Sequence, residues 1–198
     1  MKRLFAYVSS VILCCTSCNS NIDYYNIPLY SENNRLQAVV EIPAGTNKKI
    51  EVNTETSAFE VDQKNGKDRV IDFLPYPGNY GFIPSTYSDP NTGGDGDALD
   101  VLIISESLPT GSIVEFEPLG MLKLIDEGEI DYKIIAVPAG ASSRIISAKT
   151  FQEFERMYPE AKAIIELWFL NYNKDDRAEV NGWADEKEAL SEIERNKK

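Results

Sequence analysis

Three aspartates, Asp95, Asp97 and Asp100, fall within six residues of the segment GGDGDALDVLI, Gly93 to Ile103. Glycines flank them, and the apolar run Val101 to Ile104 follows at once. Asp and Gly both populate turns, so one reading is a plain Asp-Gly loop. A second is an EF-hand: DPNTGGDGDALD puts Asp89, Asn91, Gly93, Gly94 and Asp100 at the spacing of that loop. Its last position lacks the bidentate Glu, however, and Pro84 upstream and a strand-like run downstream replace the two helices. The third reading is a site for hard divalent cations. Carboxylates without His or Cys suit Mg2+, Mn2+ or Ca2+, and like charges this close are unfavourable unless a cation lies between them. The segment LIDEGEIDYK supplies a second cluster, Asp126, Glu127, Glu129 and Asp131, followed by Lys133. Alone it reads equally well as a solvated hairpin turn. Together the two clusters could hold two or more metals, an arrangement suited to phosphoryl transfer.

Phosphate chemistry also needs donors. Lys49 and Glu51 project from one face of an alternating segment, and Arg69 follows the Asn65-Gly66 turn. The stretch YPGNYGFIP places Tyr76 and Tyr80 four apart in a Gly/Pro-rich run expected to be irregular. Histidine is absent, which excludes Ser-His-Asp, Cys-His and His-ligated zinc mechanisms. The three cysteines, Cys14, Cys15 and Cys18, all lie near the N-terminus, so nothing downstream forms a disulfide framework or a Cys zinc site. A net charge of −12 argues against nucleic acid, whose binding needs Lys and Arg to replace phosphate counterions. It argues equally against an electrostatic membrane patch.

The elements that must position these residues follow from periodicity. The chain has 198 residues, enough for one domain with a sizeable core. Residues 36–45, 48–54, 58–63, 100–105, 112–126 and 131–139 read as strands, with turn signals every ten residues or so. The period changes in the last third. Thr150 with Glu153 makes a capping-box pattern, and Pro159 restarts a helix in which Ile164, Leu167 and Trp168 share a face. Residues 184–198 form a final helix, acidic early and basic late. The sum is an α+β domain: a small β-barrel with helices added late. Residues 1–18, MKRLFAYVSSVILCCTSC, read as a signal peptide, with two cations before an apolar stretch too short to span a bilayer. Its ending resembles a bacterial lipobox, which makes Cys18 the lipidated residue, although Cys15 stands where an aliphatic residue is usual. Residues 19–35 are a tether or N-terminal arm, and 36–198 are the domain. The expectation is an exported lipoprotein facing periplasm or cell surface, held to the membrane through its lipid alone.

DGDALDVL resembles the signature of the soluble family I inorganic pyrophosphatases, Asp-Gly/Asn-Asp-Pro-x-Asp-Val. VVEIPAG, KIEV, GKDRV, YPGNYGFIP, LIDEGEIDYKIIAVP and WFLNY…GW follow the family's order from Val39 to Trp183. The resemblance implies a five-stranded OB-like barrel with flanking C-terminal helices. It implies hydrolysis of inorganic diphosphate to two phosphates with three to four Mg2+ per site, or with Mn2+. By the same resemblance Asp95, Asp100, Asp126 and Asp131 are metal ligands, and Asp97 is the general base for the attacking water. Glu41 and Glu51 reach metals through water. Lys49, Arg69, Tyr80, Lys133 and Tyr172 bind phosphate, and Tyr76 supports the pocket. Ala98 departs from the family's Pro. Asn173 replaces the family's Lys, with Lys174 one position on as the substitute phosphate ligand. The family also implies a homo-oligomer, often a hexamer in bacteria and a dimer in eukaryotes. Alternatives are a phosphate- or metal-binding lipoprotein without turnover, a hydrolase of a larger phosphoanhydride, and a structural surface lipoprotein.

Overall fold

Five strands close on themselves. In the computed structural model, which describes residues 22–173 and 178–198, strand β1 (Leu36–Ile42) pairs with β6 (Asn79–Phe82) on one side and with β8 (Ile113–Asp126) on the other. Strand β6 pairs with β7 (Asp100–Ile103), β7 with β10 (Lys133–Pro138), and β10 with β8, which completes the ring. Closure removes the unpaired edges of an open sheet. Strand β9 (Glu129–Ile130) folds back on the end of β8, and β11 (Ala178–Asp185) adds to the outside of β8. Strand β2 (Ile50–Val52) pairs with β3 (Phe59–Val61), and β4 (Gln63–Lys64) pairs with β5 (Lys67–Asp68). Asn65 and Gly66 join the latter pair with φ of +57° and +73°, the left-handed conformation a two-residue hairpin turn needs.

The strand period sorts side chains into two cores. Leu102, Leu122, Ile135 and Val137 face one way and meet Phe154, Ile165, Trp168 and Phe169 of the helices. Val101, Ile103, Ile134 and Ala136, the alternate residues, face the other way and meet Ala189 and Ile193. Strand β10 is therefore buried on both faces and reads as a continuous apolar run. Helix α1 (Phe151–Met157) is capped by Thr150, whose side chain accepts from the Glu153 amide at 3.2 Å. Helix α2 (Pro159–Asn171) opens on its proline, and Asp185 caps α3 (Glu186–Arg195).

Three expectations need correction. In α2, Trp168 is buried but Ile164 and Leu167 are 54% and 58% exposed. The stripe that packs is Ile165, Trp168 and Phe169, which has helical spacing too and offers the larger aromatic area. The segment around Tyr80 is not irregular: Asn79–Phe82 is a fully buried central strand. Gly81 makes this feasible, because a Cβ there would lie 1.9 Å from the Val39 carbonyl oxygen of the adjacent strand. Asn79 pairs its own buried amide by accepting from Ala44 and Leu108 and donating to Ser105 and Glu106. Strand β11 was not anticipated; its alternation is weak and most of its residues are partly exposed.

Candidate active site

Strand register builds the centre of the site. Asp100 opens β7 and Lys133 opens β10, and the two are direct partners in the parallel ladder. Lys133 Nζ lies 2.5 Å from Asp100 Oδ2 and 2.5 Å from Asp131 Oδ1, and the Tyr80 hydroxyl donates to the same Asp100 oxygen at 2.5 Å. Asp95 and Asp97 sit in the loop before β7. The Asp97 amide donates to Asp95 Oδ1 at 3.0 Å, an Asx-type turn, and Gly96 between them takes φ +87°. The second acidic segment, at the end of β8, is brought alongside by a bridge between Gly94 and Ile130, in which the Ile130 amide donates to Gly93 O at 2.7 Å. Two clusters about thirty residues apart in sequence thus share one mouth of the barrel, by the same parallel register that pairs β7 with β10.

Two adjoining cavities, of about 260 and 180 Å³, share Lys49, Asp95, Asp97 and Asp100 as walls. The larger adds Arg69, Asp126, Asp131, Lys133 and Tyr172; the smaller adds Glu41, Glu51 and Tyr80. Lys49 Nζ pairs with Glu51 at 2.9 Å, and Arg69 is held by Asp62 at 3.3 Å. Tyr172 stacks on Trp168 with centroids 4.8 Å apart and planes 9° apart. Tyr76 lines neither cavity: it is buried between Tyr80 and Trp168, at 5.2 and 4.5 Å between ring centroids. Lys174 and Cys18 lie outside the described residues. Three ionisable wall residues lay beyond the sequence assignment of the site. Glu127 and Glu129, flanking the β8–β9 turn, line the larger cavity, and their place in the acidic run was a usable signal. Tyr25 lines the smaller cavity from the segment before the barrel, and no spacing marks it.

The charges are unbalanced in a way that suits cations. Burial pushes the carboxyls of Asp95, Asp97 and Asp100 above the usual carboxylate range, and the negative charge of Asp131 adds to each. Burial pushes Glu41 up to about 8, against a hydrogen bond it accepts from the Val52 amide. Burial opposes the charge on Lys133, yet Asp100 and Asp131 outweigh it and its pKa rises overall. One ammonium cannot neutralise this many acids. The donors are all carboxylate oxygens, the set that hard cations such as Mg2+ prefer. They form an open set: among the described residues no three are gathered into a closed chelate.

A small closed barrel with carboxylates, Lys, Arg and Tyr around one mouth defines a class of protein built for metal-assisted phosphoryl chemistry. The family model for inorganic pyrophosphatase matches residues 38–198, and the chain belongs to that family. Its members are metal-dependent, generally with Mg2+. The chain is 36% identical over 162 residues to the inorganic pyrophosphatase of Neisseria meningitidis serogroup B, covering 80% of this chain and 84% of that one. It is 35% identical to the mouse inorganic pyrophosphatase, covering 81% of this chain but only 60% of the longer mouse protein. Among solved structures, the inorganic pyrophosphatase of Thermus thermophilus superposes with a TM-score of 0.72 at 29% identity, covering 88% of this chain and 97% of that one. That of Neisseria gonorrhoeae superposes at 0.68 with 34% identity, covering 82% and 88%.

Proposed function

We propose that the protein hydrolyses inorganic diphosphate to two phosphates, in agreement with its family. The observation that carries this reading is the convergence of five aspartates with Lys49, Arg69, Lys133 and Tyr172 on one small cavity, in a chain without histidine. Asp95, Asp100, Asp126 and Asp131 would hold the three to four Mg2+, with Glu41 and Glu51 reaching them through water, and the bound ions would supply charge neutralisation and a lowered pKa for water. Asp97, on the wall shared by both cavities, takes the proton of the attacking water as its oxygen bonds to one phosphorus. The bridging P–O bond breaks, and its electron pair leaves with the second phosphate. Lys49, Arg69, Lys133 and Tyr172 hold the phosphoryl oxygens, with Lys174 as a further ligand. Tyr80, a phosphate binder by the family resemblance, lines the smaller cavity with its hydroxyl donating to Asp100, and Tyr76 backs Tyr80 from outside the cavities.

The test is product release from diphosphate beside tripolyphosphate and longer chains. Turnover confined to diphosphate supports the reading. Faster turnover of the longer chains identifies a hydrolase of larger phosphoanhydrides, and Mg2+-dependent binding without turnover identifies a binding protein. We further propose export and lipidation at Cys18, supported by the cations, short apolar run and small residues that precede it. Detergent-phase partitioning that Cys18→Ala abolishes supports the anchor; unchanged partitioning contradicts it. A homo-oligomer is the expected assembly, and sedimentation equilibrium decides it.

A further inference from the structure

We propose that Tyr25, in the segment that precedes the barrel, is a positioning residue for Asp97; the proposal rests on the hydrolase reading above. The family match begins at residue 38, so this segment lies outside it. It is nonetheless fastened to the domain. The Ser85 amide donates to Tyr25 O at 2.9 Å, Ser85 Oγ donates to Ile27 O at 2.7 Å, and the Gln37 amide donates to Leu29 O at 2.9 Å. The Tyr25 ring lies flat on Phe82, with centroids 4.4 Å apart and planes 14° apart. Its neighbour Tyr24 meets Phe59 edge-on at 4.8 Å. Together with Ile27 these rings pack on a buried cluster that contains Phe82 and Ala98.

Ala98 is the link to chemistry. It follows Asp97 directly and lines the smaller cavity with Tyr25. The loop that carries Asp97 is soft by composition, with glycines at 93, 94 and 96. Backbone bonds hold it from one side: the Ser88 amide donates to Asp97 O at 2.7 Å, and the Leu99 amide donates to Thr86 Oγ1 at 3.0 Å. Ala98 offers only a methyl group to hold the other side. The aromatic layer of Tyr25 on Phe82 supplies the missing wall there, so the Asp97 carboxylate keeps its aim into the cavity.

The experiment compares the full chain with Tyr25→Ala, Tyr25→Phe and Ile193→Ala, the last a truncation of a fully buried residue in α3 that serves as the stability control. Tyr25→Ala should lower kcat by roughly ten- to a hundredfold, the scale on which small misplacements of a reacting group act, with KM for diphosphate within about twofold. Tyr25→Phe should recover most of that loss, because the stacked ring is what positions the loop. Ile193→Ala should leave kcat unchanged. In chelator, without turnover, hydrogen exchange at residues 95–99 should quicken in Tyr25→Ala and not in Ile193→Ala. An unchanged kcat in Tyr25→Ala, a loss seen only in KM, or unchanged exchange at 95–99 would each overturn the proposal. An unmutated chain that releases no phosphate refutes the hydrolase reading instead.

Discussion

Replacing Lys133 by Met tests whether one ammonium holds the mouth of the barrel together. The Lys133 side chain is 3% exposed, and its Nζ makes two contacts of 2.5 Å, to Asp100 and Asp131. Methionine keeps the stem and much of the volume against the rings of Tyr80 and Phe169, each 5.8 Å from Nζ, and removes only the charge. Two largely buried carboxylates then face each other without a cation. Breaking a buried pair by deleting one partner costs roughly 3–5 kcal/mol. For a domain of this size that lowers the melting temperature by roughly 6–20 °C. The assay is thermal and urea unfolding in chelator and again in Mg2+. In chelator the variant should show the full loss. In Mg2+ it should gain more stability than the unmutated protein, because the freed carboxylates bind the ion and ligand binding to the folded state stabilises it. Stability within about 0.5 kcal/mol of the unmutated protein in chelator would refute the reasoning, since that is the size of an ordinary surface substitution.

Gly81→Ala puts its Cβ 1.9 Å from the Val39 carbonyl oxygen, a backbone atom, so it should destabilise by about 3 kcal/mol, the upper end of the usual cost of overpacking, read as loss of soluble protein or of melting temperature. Glu41 binds its proton more tightly folded, up to about 8, than its ordinary 4.5. Its contribution in chelator is therefore complete below pH 4.5 and is lost as pH rises through about 8. Glu41→Gln should flatten that decline in pH-dependent unfolding; an unchanged slope contradicts the assignment. Lys174→Ala should raise KM for diphosphate while Asn173→Ala does not, and an unchanged KM for Lys174→Ala excludes it as a phosphate ligand.

Much of this site was readable from residue types because its chemistry depends on them. Acids clustered at 95–100 and 126–131 with no histidine restrict the metal to hard cations, whatever the fold. The strands were readable where short apolar runs were bounded by turn residues, as in β1, β7 and β10. The failures come from tertiary competition. Ile164 and Leu167 lost to Ile165 and Phe169 because two stripes of α2 had helical spacing and the core took the one richer in aromatic surface. Asn79 and Gly81 hid β6, since the buried amide is satisfied by four partners distant in sequence and the glycine is demanded by a neighbouring strand. Tyr25 was invisible because its meaning lies in the ring of Phe82, 57 residues later.

Phosphate release from diphosphate, with Mg2+ and with chelator, for the unmutated chain and Asp97→Asn, tests the central claim most directly. With Asp97 as the base, release should be rapid and Mg2+-dependent and should fall by about 10²–10⁴ in Asp97→Asn, the span of general base catalysis, while Mg2+ binding persists. Release that survives Asp97→Asn, or that proceeds equally in chelator, would contradict it.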